Sequence, residues 1–215
     1  MASQYRELLL AFIVSNNLPL RLVDQFSFRQ LVHHLNPSTI AISASSLKRD
    51  LHKTFCNHHI KLKLELQNHL ATGGRLSLTT DAWTANNSSD YATITVHWIN
   101  SKWIQQSKIL DVIHLQEPIH SGEYLAEQLL TVTNDFKITH GVFTVTRDNA
   151  SNNTAMLNQY EIKASKNLVT VNQPWSFTVR EGDVRCIAHV INLAVQAALA
   201  TMKAIPFEEL ESYWV

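Results

Sequence analysis

Two short runs of alternating residues each end in an aspartate. RLSLTTDAW, from Arg75 to Trp83, delivers Asp81, and VFTVTRD, from Val142 to Asp148, delivers Asp148. Two carboxylates about 4 Å apart repel each other by roughly 4 kcal/mol at an effective dielectric of about 20, so a fold that pairs them usually holds a divalent cation or raises one pKa. Mg²⁺ binds one or two carboxylates with water and phosphate oxygens, and such ions assist phosphodiester chemistry. If the two strand ends meet, the pattern predicts a metal-dependent phosphoryl-transfer site.

Each of these residues also has an ordinary structural interpretation, and the pattern leaves both open. Asp81 fits a turn former at a strand end, and Asp148, in the run DNAS, fits a helix N-cap. Trp83 fits a strand-edge aromatic. It equally fits a surface on which an unpaired base stacks, worth roughly 1–3 kcal/mol per base, or a wedge that keeps a flipped nucleotide out.

A single C-x-x-H motif, Cys186 and His189, lies near the start of a predicted helix. A zinc site needs two further ligands, and spacing gives no zinc-finger signature for the remaining candidates. These candidates are His52, Cys56, His58 and His59. His189 is instead placed to donate a hydrogen bond to a phosphate.

Periodicity predicts the elements that position these residues. Residues 1–72 show helical spacing, with helices over 3–15, about 20–35, and from the serines near residue 45 to a Gly73-Gly74 stop. Strand alternation then begins. The remaining predicted elements are strands over 75–81, Tyr91–Ile99 and Trp103–His114, a helix capped by Ser121, a strand over Val142–Arg147, a helix over Asn149–Tyr160, a weak strand over Trp175–Arg180 and a helix over Cys186–Met202.

A helix between the third and fourth strands makes a crossover, so the fourth strand should lie parallel to the first. If these two strands are neighbours, Asp81 and Asp148 reach the same edge of the sheet. The sequence therefore predicts an α/β protein with an incomplete RNase H-like fold: a three-strand meander, a crossover helix and a parallel fourth strand, preceded by an all-helical segment.

Composition describes an intracellular globular protein of 215 residues with no net charge and two cysteines. No apolar run approaches the roughly 18–20 residues of a membrane span. Arg6 and Glu7 precede the apolar run LLLAFIV and no cleavage site follows it, so the sequence predicts neither a signal peptide nor a membrane partner. Basic residues are in excess over residues 44–72, where a solvated helix face and a phosphate-contacting face both remain open.

Three motifs in order resemble the hAT superfamily (hobo/Activator type) of cut-and-paste DNA transposases. They are TTDAWT at 79–84, TRDNASNN at 146–153 and CIAHVINL at 186–193. The run LPLRLVDQFSFRQLVHHLNP at 18–37 resembles the helical segment that precedes the catalytic domain in that family. The resemblance covers roughly residues 5–200.

The resemblance implies a role for each candidate residue. Asp81 and Asp148 correspond to the first two acids of a DDE-type triad that binds Mg²⁺ or Mn²⁺. Trp83 corresponds to the tryptophan that stacks on an extruded base, and Cys186 and His189 to a motif whose histidine lies close to the DNA. The implied reaction is hydrolysis at the transposon end, hairpin formation and strand transfer to target DNA, in the nucleus, by a protein that forms homo-oligomers at full length.

The third acid of that family, a glutamate after a long helical insertion, has no counterpart here. Glu208, Glu209 and Glu211 come too soon after the C-x-x-H helix, and the zinc finger and dimerisation regions are missing. We therefore expect a helical segment over 1–72, a partial catalytic domain over 73–205 and a truncated tail over 206–215. Metal binding should be weak and cleavage negligible. The alternative is a non-enzymatic, transposase-derived nuclear DNA-binding or interaction protein.

Overall fold

The computed structural model describes residues 2–117, 120–168 and 177–202. The chain divides into two compact units between Leu64 and Glu65, inside one long helix. The predicted domain boundary after residue 72 follows the end of this helix and stays a prediction. The predicted tail over 206–215, with its three glutamates, lies outside the described residues.

The amino-terminal unit is helical, as predicted. It contains α1 (Ala2–Ser15), a 3₁₀ helix (Leu20–Asp24), α2 (Phe26–Leu35) and the first part of α3 (Ala44–Ala71). Its core is a cluster of buried aliphatic side chains: Leu9, Leu10, Ile13, Val23, Ile42 and Leu47.

The single helix predicted over 20–35 is wrong, because the chain breaks at Gln25. The backbone there is extended, with φ −69° and ψ 134°. Arg29 holds the break, since its guanidinium donates to the Val23 carbonyl at 3.0 Å and to the Asp24 carboxylate at 2.8 Å. Apolar periodicity continues through this break and therefore does not reveal it.

The carboxyl end of α3 is the predicted left-handed C-cap. Gly73 has a φ of 83°, which glycine adopts without the steric cost of a side chain. The N–H groups of Gly73 and Gly74 donate to the carbonyls of Leu70 and His69. These bonds satisfy acceptors that the helix end would otherwise leave open.

The second unit is built on a five-stranded mixed sheet in the order β3-β2-β1-β4-β5. The first three strands form an antiparallel meander, and β4 and β5 continue the sheet in parallel from β1. This arrangement confirms the predicted α/β class and the RNase-like layout. The strands are β1 (Leu76–Thr84), β2 (Asp90–Ile99), β3 (Gln105–Leu115), β4 (Val142–Arg147) and β5 (Asp183–Arg185).

The crossover from β3 to β4 runs through α4 (Gly122–Asp135), which the Ser121 hydroxyl caps by accepting from the Tyr124 N–H. The return to β5 runs through α5 (Ser151–Leu168) and the short α6 (Val179–Gly182). One face of the sheet is buried and aliphatic. With α4 and α5 it forms the core, which includes Leu76, Leu78, Ile94, Val96, Val145, Leu129, Leu157 and Tyr160.

The strand predicted over Trp175–Arg180 is wrong for the residues that the structure describes. Val179 and Arg180 belong to α6, and the strand is β5, further along the chain. The helical turn forms because the Glu161 carboxylate accepts from the Val179 N–H at 2.9 Å and the Gly182 N–H donates to the Thr178 carbonyl at 2.8 Å. Trp175 lies outside the described residues.

The last described helix, α7 (Ile187–Thr201), begins directly after Cys186, as predicted. Its side chains are largely apolar, and many of them are exposed. Across the described ranges, no helix combines the length and the apolar character that a membrane span requires.

Candidate metal and nucleic-acid site

The parallel pairing of β1 with β4 brings the two predicted aspartates to the same edge of the sheet. The last pair in this ladder is Thr79 with Thr146. Asp81 and Asp148 each lie two residues beyond that pair, Asp81 within β1 and Asp148 directly after β4, so both lie toward the same end of the paired strands. The positional premise of the metal-site prediction is therefore met.

Asp81 lies within β1, opposite Thr93 on β2. Its side chain is exposed. No hydrogen bond or ion pair within the described ranges involves its carboxylate. The predicted role as a turn former does not apply, because β1 continues through Thr84 and the strand pairing with β2 covers these residues.

Asp148 is half-buried and directly follows β4. Its Oδ1 accepts from the Ala150 N–H at 2.9 Å and from the Asn153 side-chain amide. These bonds organise the turn that leads into α5. Asp148 is therefore not the residue directly before α5, as an N-cap would be, but holds the preceding turn through one carboxylate oxygen. Its Oδ2 makes no hydrogen bond or ion pair within the described ranges.

Arg147, which sequence reasoning missed, fixes the backbone of the Asp148 turn. Its side chain is only 1% exposed. The guanidinium makes a bidentate pair with Asp183 of β5 at 3.0 and 2.8 Å, and it also donates to the Thr154 hydroxyl at 2.9 Å and the Asp148 carbonyl at 2.8 Å. One buried cation therefore ties together the ends of β4 and β5 and the first turn of α5. A signal existed, because the alternation from Val145 puts Arg147 on the buried face, where a charged group needs a partner.

Cys186 and His189 reach the same edge of the sheet through β5. The Cys186 N–H donates to the Arg147 carbonyl at 2.8 Å, next to the parallel pair of Arg147 with Arg185. Cys186 is the N-cap residue of α7 and His189 lies in its first turn, half-buried. The amino end of α7 and the Asp148 turn are thus neighbours.

Trp83 stacks on Tyr91, which lies opposite it on β2. Their ring centroids are 5.8 Å apart with an interplanar angle of 23°. The Trp83 side chain remains 44% exposed. Trp83 therefore packs on a neighbouring strand, as a structural aromatic residue would, and enough of its ring is exposed for a base to stack on it.

An open groove of about 940 Å³ runs along the polar face of the sheet. Thr79 and Thr146, the last ladder pair before the aspartates, both line it, together with His69, Arg75 and His97. The Thr79 hydroxyl and His97 Nε2 lie 3.1 Å apart. No carboxylate is among the residues that line the groove. Within the described ranges, a polyanion would meet hydroxyls, imidazoles and a guanidinium there.

The described residues contain no cluster of three or more His, Cys, Asp or Glu side chains that could hold a metal ion. The site consequently offers two carboxylates, and the other ligands would be water or phosphate oxygens. Such a set suits Mg²⁺, which keeps several waters and prefers oxygen donors.

Residues 79–173 match the ZBED1 RNase-like domain family. The match begins at Thr79, within β1, and takes in both aspartates. It therefore coincides with the part of the sheet that carries the candidate site.

Several curated proteins are similar to nearly the whole chain. A "putative transcriptional regulator tpeD" of Talaromyces stipitatus is 28% identical over 98% of this chain and 24% of its own length. A "putative AC transposase" of Zea mays is 25% identical over 88% of this chain and 23% of its own length. The "zinc finger BED domain-containing protein RICESLEEPER 2" of Oryza sativa is 24% identical over 93% of this chain and 27% of its own length.

The chain spans about a quarter of the length of these relatives. The family match, the relatives and the sheet order agree with the resemblance carried by the three sequence motifs. Together these comparisons support a similarity to hAT-type transposase-like proteins.

Proposed function

We propose that the edge of the sheet at Asp81 and Asp148 is a divalent-metal and DNA site of the transposase type, and that the protein acts in the nucleus. The observation that carries this proposal is the parallel register of β1 with β4, which ends at Thr79 and Thr146 and leaves one aspartate two residues beyond on each strand. The activity of this site type is phosphodiester hydrolysis and strand transfer.

The carboxylates supply the metal site. Asp81 offers both oxygens, and Asp148 offers Oδ2 while its Oδ1 holds the turn before α5. A bound Mg²⁺ or Mn²⁺ would polarise a phosphate and activate a water or 3′-hydroxyl. Because the candidate site has only two carboxylates among the described residues, Asp81 and Asp148, we expect weak metal affinity and negligible cleavage by these residues alone.

DNA would be held along the polar face of the sheet. The groove next to the aspartates has no carboxylate in its lining, so phosphates would approach it without direct repulsion. Trp83 would stack on an unpaired base. His189, in the first turn of α7, would donate to a phosphate near Asp148, with Cys186 positioning that turn through its bond to β4.

A second candidate is non-enzymatic DNA binding, in which the protein or its assembly retains DNA without cutting it. The name of one relative, a putative transcriptional regulator that matches 98% of the chain, favours this function. The two-carboxylate site is consistent with it as well. Self-association, implied by the family resemblance, applies to both candidates.

Two measurements test the proposal. Mn²⁺ binding, followed by water proton relaxation, should be lost in Asp81→Asn and in Asp148→Asn. It should persist in Asp111→Asn, because Asp111 is an exposed aspartate on β3, which β2 separates from β1. Retention on a DNA column should fall with salt in all of these proteins.

A nicking assay in Mn²⁺ separates the two candidate functions. No cleavage by the wild type, with salt-dependent DNA binding intact, supports the non-enzymatic function. Cleavage that disappears in Asp81→Asn would show a complete catalytic site and would contradict the expected inactivity. Equal Mn²⁺ binding by wild type and both site variants would rule out the shared metal site.

A further inference from the structure

Trp83 is the end of a row of three aromatic rings that crosses the first three strands. Trp83 on β1 lies opposite Tyr91 on β2, and Tyr91 lies opposite His114 on β3. The ring centroids of Tyr91 and His114 are 5.1 Å apart with an interplanar angle of 31°. Both distances in the row, 5.8 and 5.1 Å, fall within the range over which aromatic pairs attract each other.

This row runs beside the residues of the candidate metal site. Asp81, opposite Thr93, is two residues from Trp83 on β1 and therefore lies on the same face, about 7 Å away along the strand. The row begins at exposed His114 and half-buried Tyr91. It ends at Trp83, which is the ring nearest to β4 in the order β3-β2-β1-β4.

Trp83 lies beyond the end of the β1–β4 ladder and is partly exposed. The β1–β4 ladder stops at Thr79, five residues before the end of β1 at Thr84. Tyr91 covers the β2 side of the Trp83 ring, and 44% of the side chain stays exposed. The face of the Trp83 ring that points away from Tyr91 is therefore the one left for a ligand.

We infer that Tyr91 and His114 form the back of a stacking platform that presents Trp83 to one unpaired DNA base, which becomes the fourth ring of the row beside the two aspartates. This inference rests on the proposed DNA-binding function. Tyr91 is a positioning residue in this scheme. It limits the rotation of the Trp83 ring, so less conformational freedom is lost when the base stacks.

The chemistry of the site favours a base over other planar ligands. Every base has a π-face, so stacking on a tryptophan holds it without sequence preference. The phosphates on either side of such a base meet the carboxylate-free groove at Thr79 and Thr146. Flipping a base out of a duplex costs a few kcal/mol in lost stacking and pairing, and a base that is already unpaired has little of this cost. The site should therefore bind an unpaired base more tightly than a paired one.

The experiment compares two hairpin DNAs that differ by one unpaired adenine. The measured quantity is the ratio of their affinities at a single salt concentration, which removes the contribution of shared phosphate contacts. The wild type should prefer the DNA with the unpaired base. Trp83→Leu should reduce this preference by roughly five- to 150-fold, up to its complete loss. Tyr91→Leu should reduce it by roughly two- to tenfold, and His114→Leu by less.

Tyr91→Phe separates positioning from hydrogen bonding, because it keeps the ring and removes only the hydroxyl. It should retain the wild-type preference. Phe143→Leu is the control, since Phe143 is an exposed aromatic residue, 38%, on β4, and it lies outside both the row and the lining of the groove. Its preference ratio should equal that of the wild type.

A 2-aminopurine at the unpaired position gives a second readout that does not depend on affinity. At saturating protein its fluorescence should be quenched by stacking on Trp83, and Tyr91→Leu should weaken the quenching. Binding of both DNAs with equal affinity by the wild type, or an unchanged preference in folded Tyr91→Leu, would overturn the platform while leaving DNA binding intact. Loss of all salt-dependent DNA binding in the wild type would instead overturn the proposed function.

Discussion

The ends of β1 and β4 carry equivalent aspartates, but the chain holds them in different ways. Asp148 sits in a turn that a buried arginine ties to β5 and α5, and one of its oxygens accepts two hydrogen bonds. Asp81 projects from a strand with no such contact in the part of the chain that the structure describes. The two residues lie at equivalent places on neighbouring strands, but only Asp148 also stabilises the local backbone.

This difference shows how two interpretations of one residue can both be correct. The turn-holding role of Asp148 uses only Oδ1, which leaves Oδ2 for the proposed metal. At Asp81 the described structure gives no stabilising reason for a carboxylate. The case for a metal role at Asp81 therefore depends on its position beside β4 and not on its exposure, which is ordinary for an aspartate.

The largest effect on stability is expected from a substitution of Arg147, whose side chain holds the turn that contains Asp148. Arg147→Met should destabilise the second unit by about 3–5 kcal/mol, because Asp183 would lose its partner in a largely buried position. Urea unfolding followed by tryptophan fluorescence measures this unit, since all five tryptophans lie beyond Leu64.

Two further variants serve as controls for the stability predicted for Arg147→Met. Arg180→Met removes an exposed arginine of α6 and should change the unfolding free energy by no more than about 0.5 kcal/mol. The double change Arg147→Met with Asp183→Leu should recover most of the stability, because an apolar pair replaces the ion pair. A double variant as unstable as Arg147→Met would show that the bonds to Thr154 and Asp148, rather than the ion pair, carry the effect.

An intermediate effect is expected at Asp148. Asp148→Ala removes the acceptor for Ala150 and Asn153 and should cost about 1 kcal/mol, as the loss of an N-cap does. Asp148→Asn keeps an acceptor oxygen and should stay within about 0.5 kcal/mol of the wild type. Both variants should lose Mn²⁺ binding. Equal destabilisation by Asn and Ala would mean that the charge, not the acceptor, holds the turn.

The sheet and the position of the aspartates could be predicted because they depend on local signals. Alternation identified β1 and β4, and the intervening helix required a parallel crossover. The position of β4 beside β1 was the condition for bringing both aspartates to one edge, and the β1–β4 ladder meets it. The Gly73-Gly74 stop was visible for the same reason, since a helix C-cap depends on adjacent residues.

The supporting residues could not be predicted because their partners are distant in sequence. Arg147 pairs with Asp183, 36 residues later, in a stretch that shows no periodicity. The Trp83–Tyr91 pair depends on β1 continuing to Thr84, three residues past the predicted end. In both cases the missing information was long-range pairing, which a single sequence does not display.

The smallest effect on stability is expected at Asp81, and it gives the sharpest contrast with Asp148. Asp81→Ala should change the unfolding free energy of the second unit by less than about 0.5 kcal/mol, because the exposed carboxylate makes no contact within the described ranges. The same variant should lose Mn²⁺ binding as completely as Asp148→Ala does. Asp111→Asn, an exposed change on β3, sets the baseline for both measurements. A loss of stability comparable to that of Asp148→Ala would reveal a structural role for Asp81 and remove the contrast with Asp148.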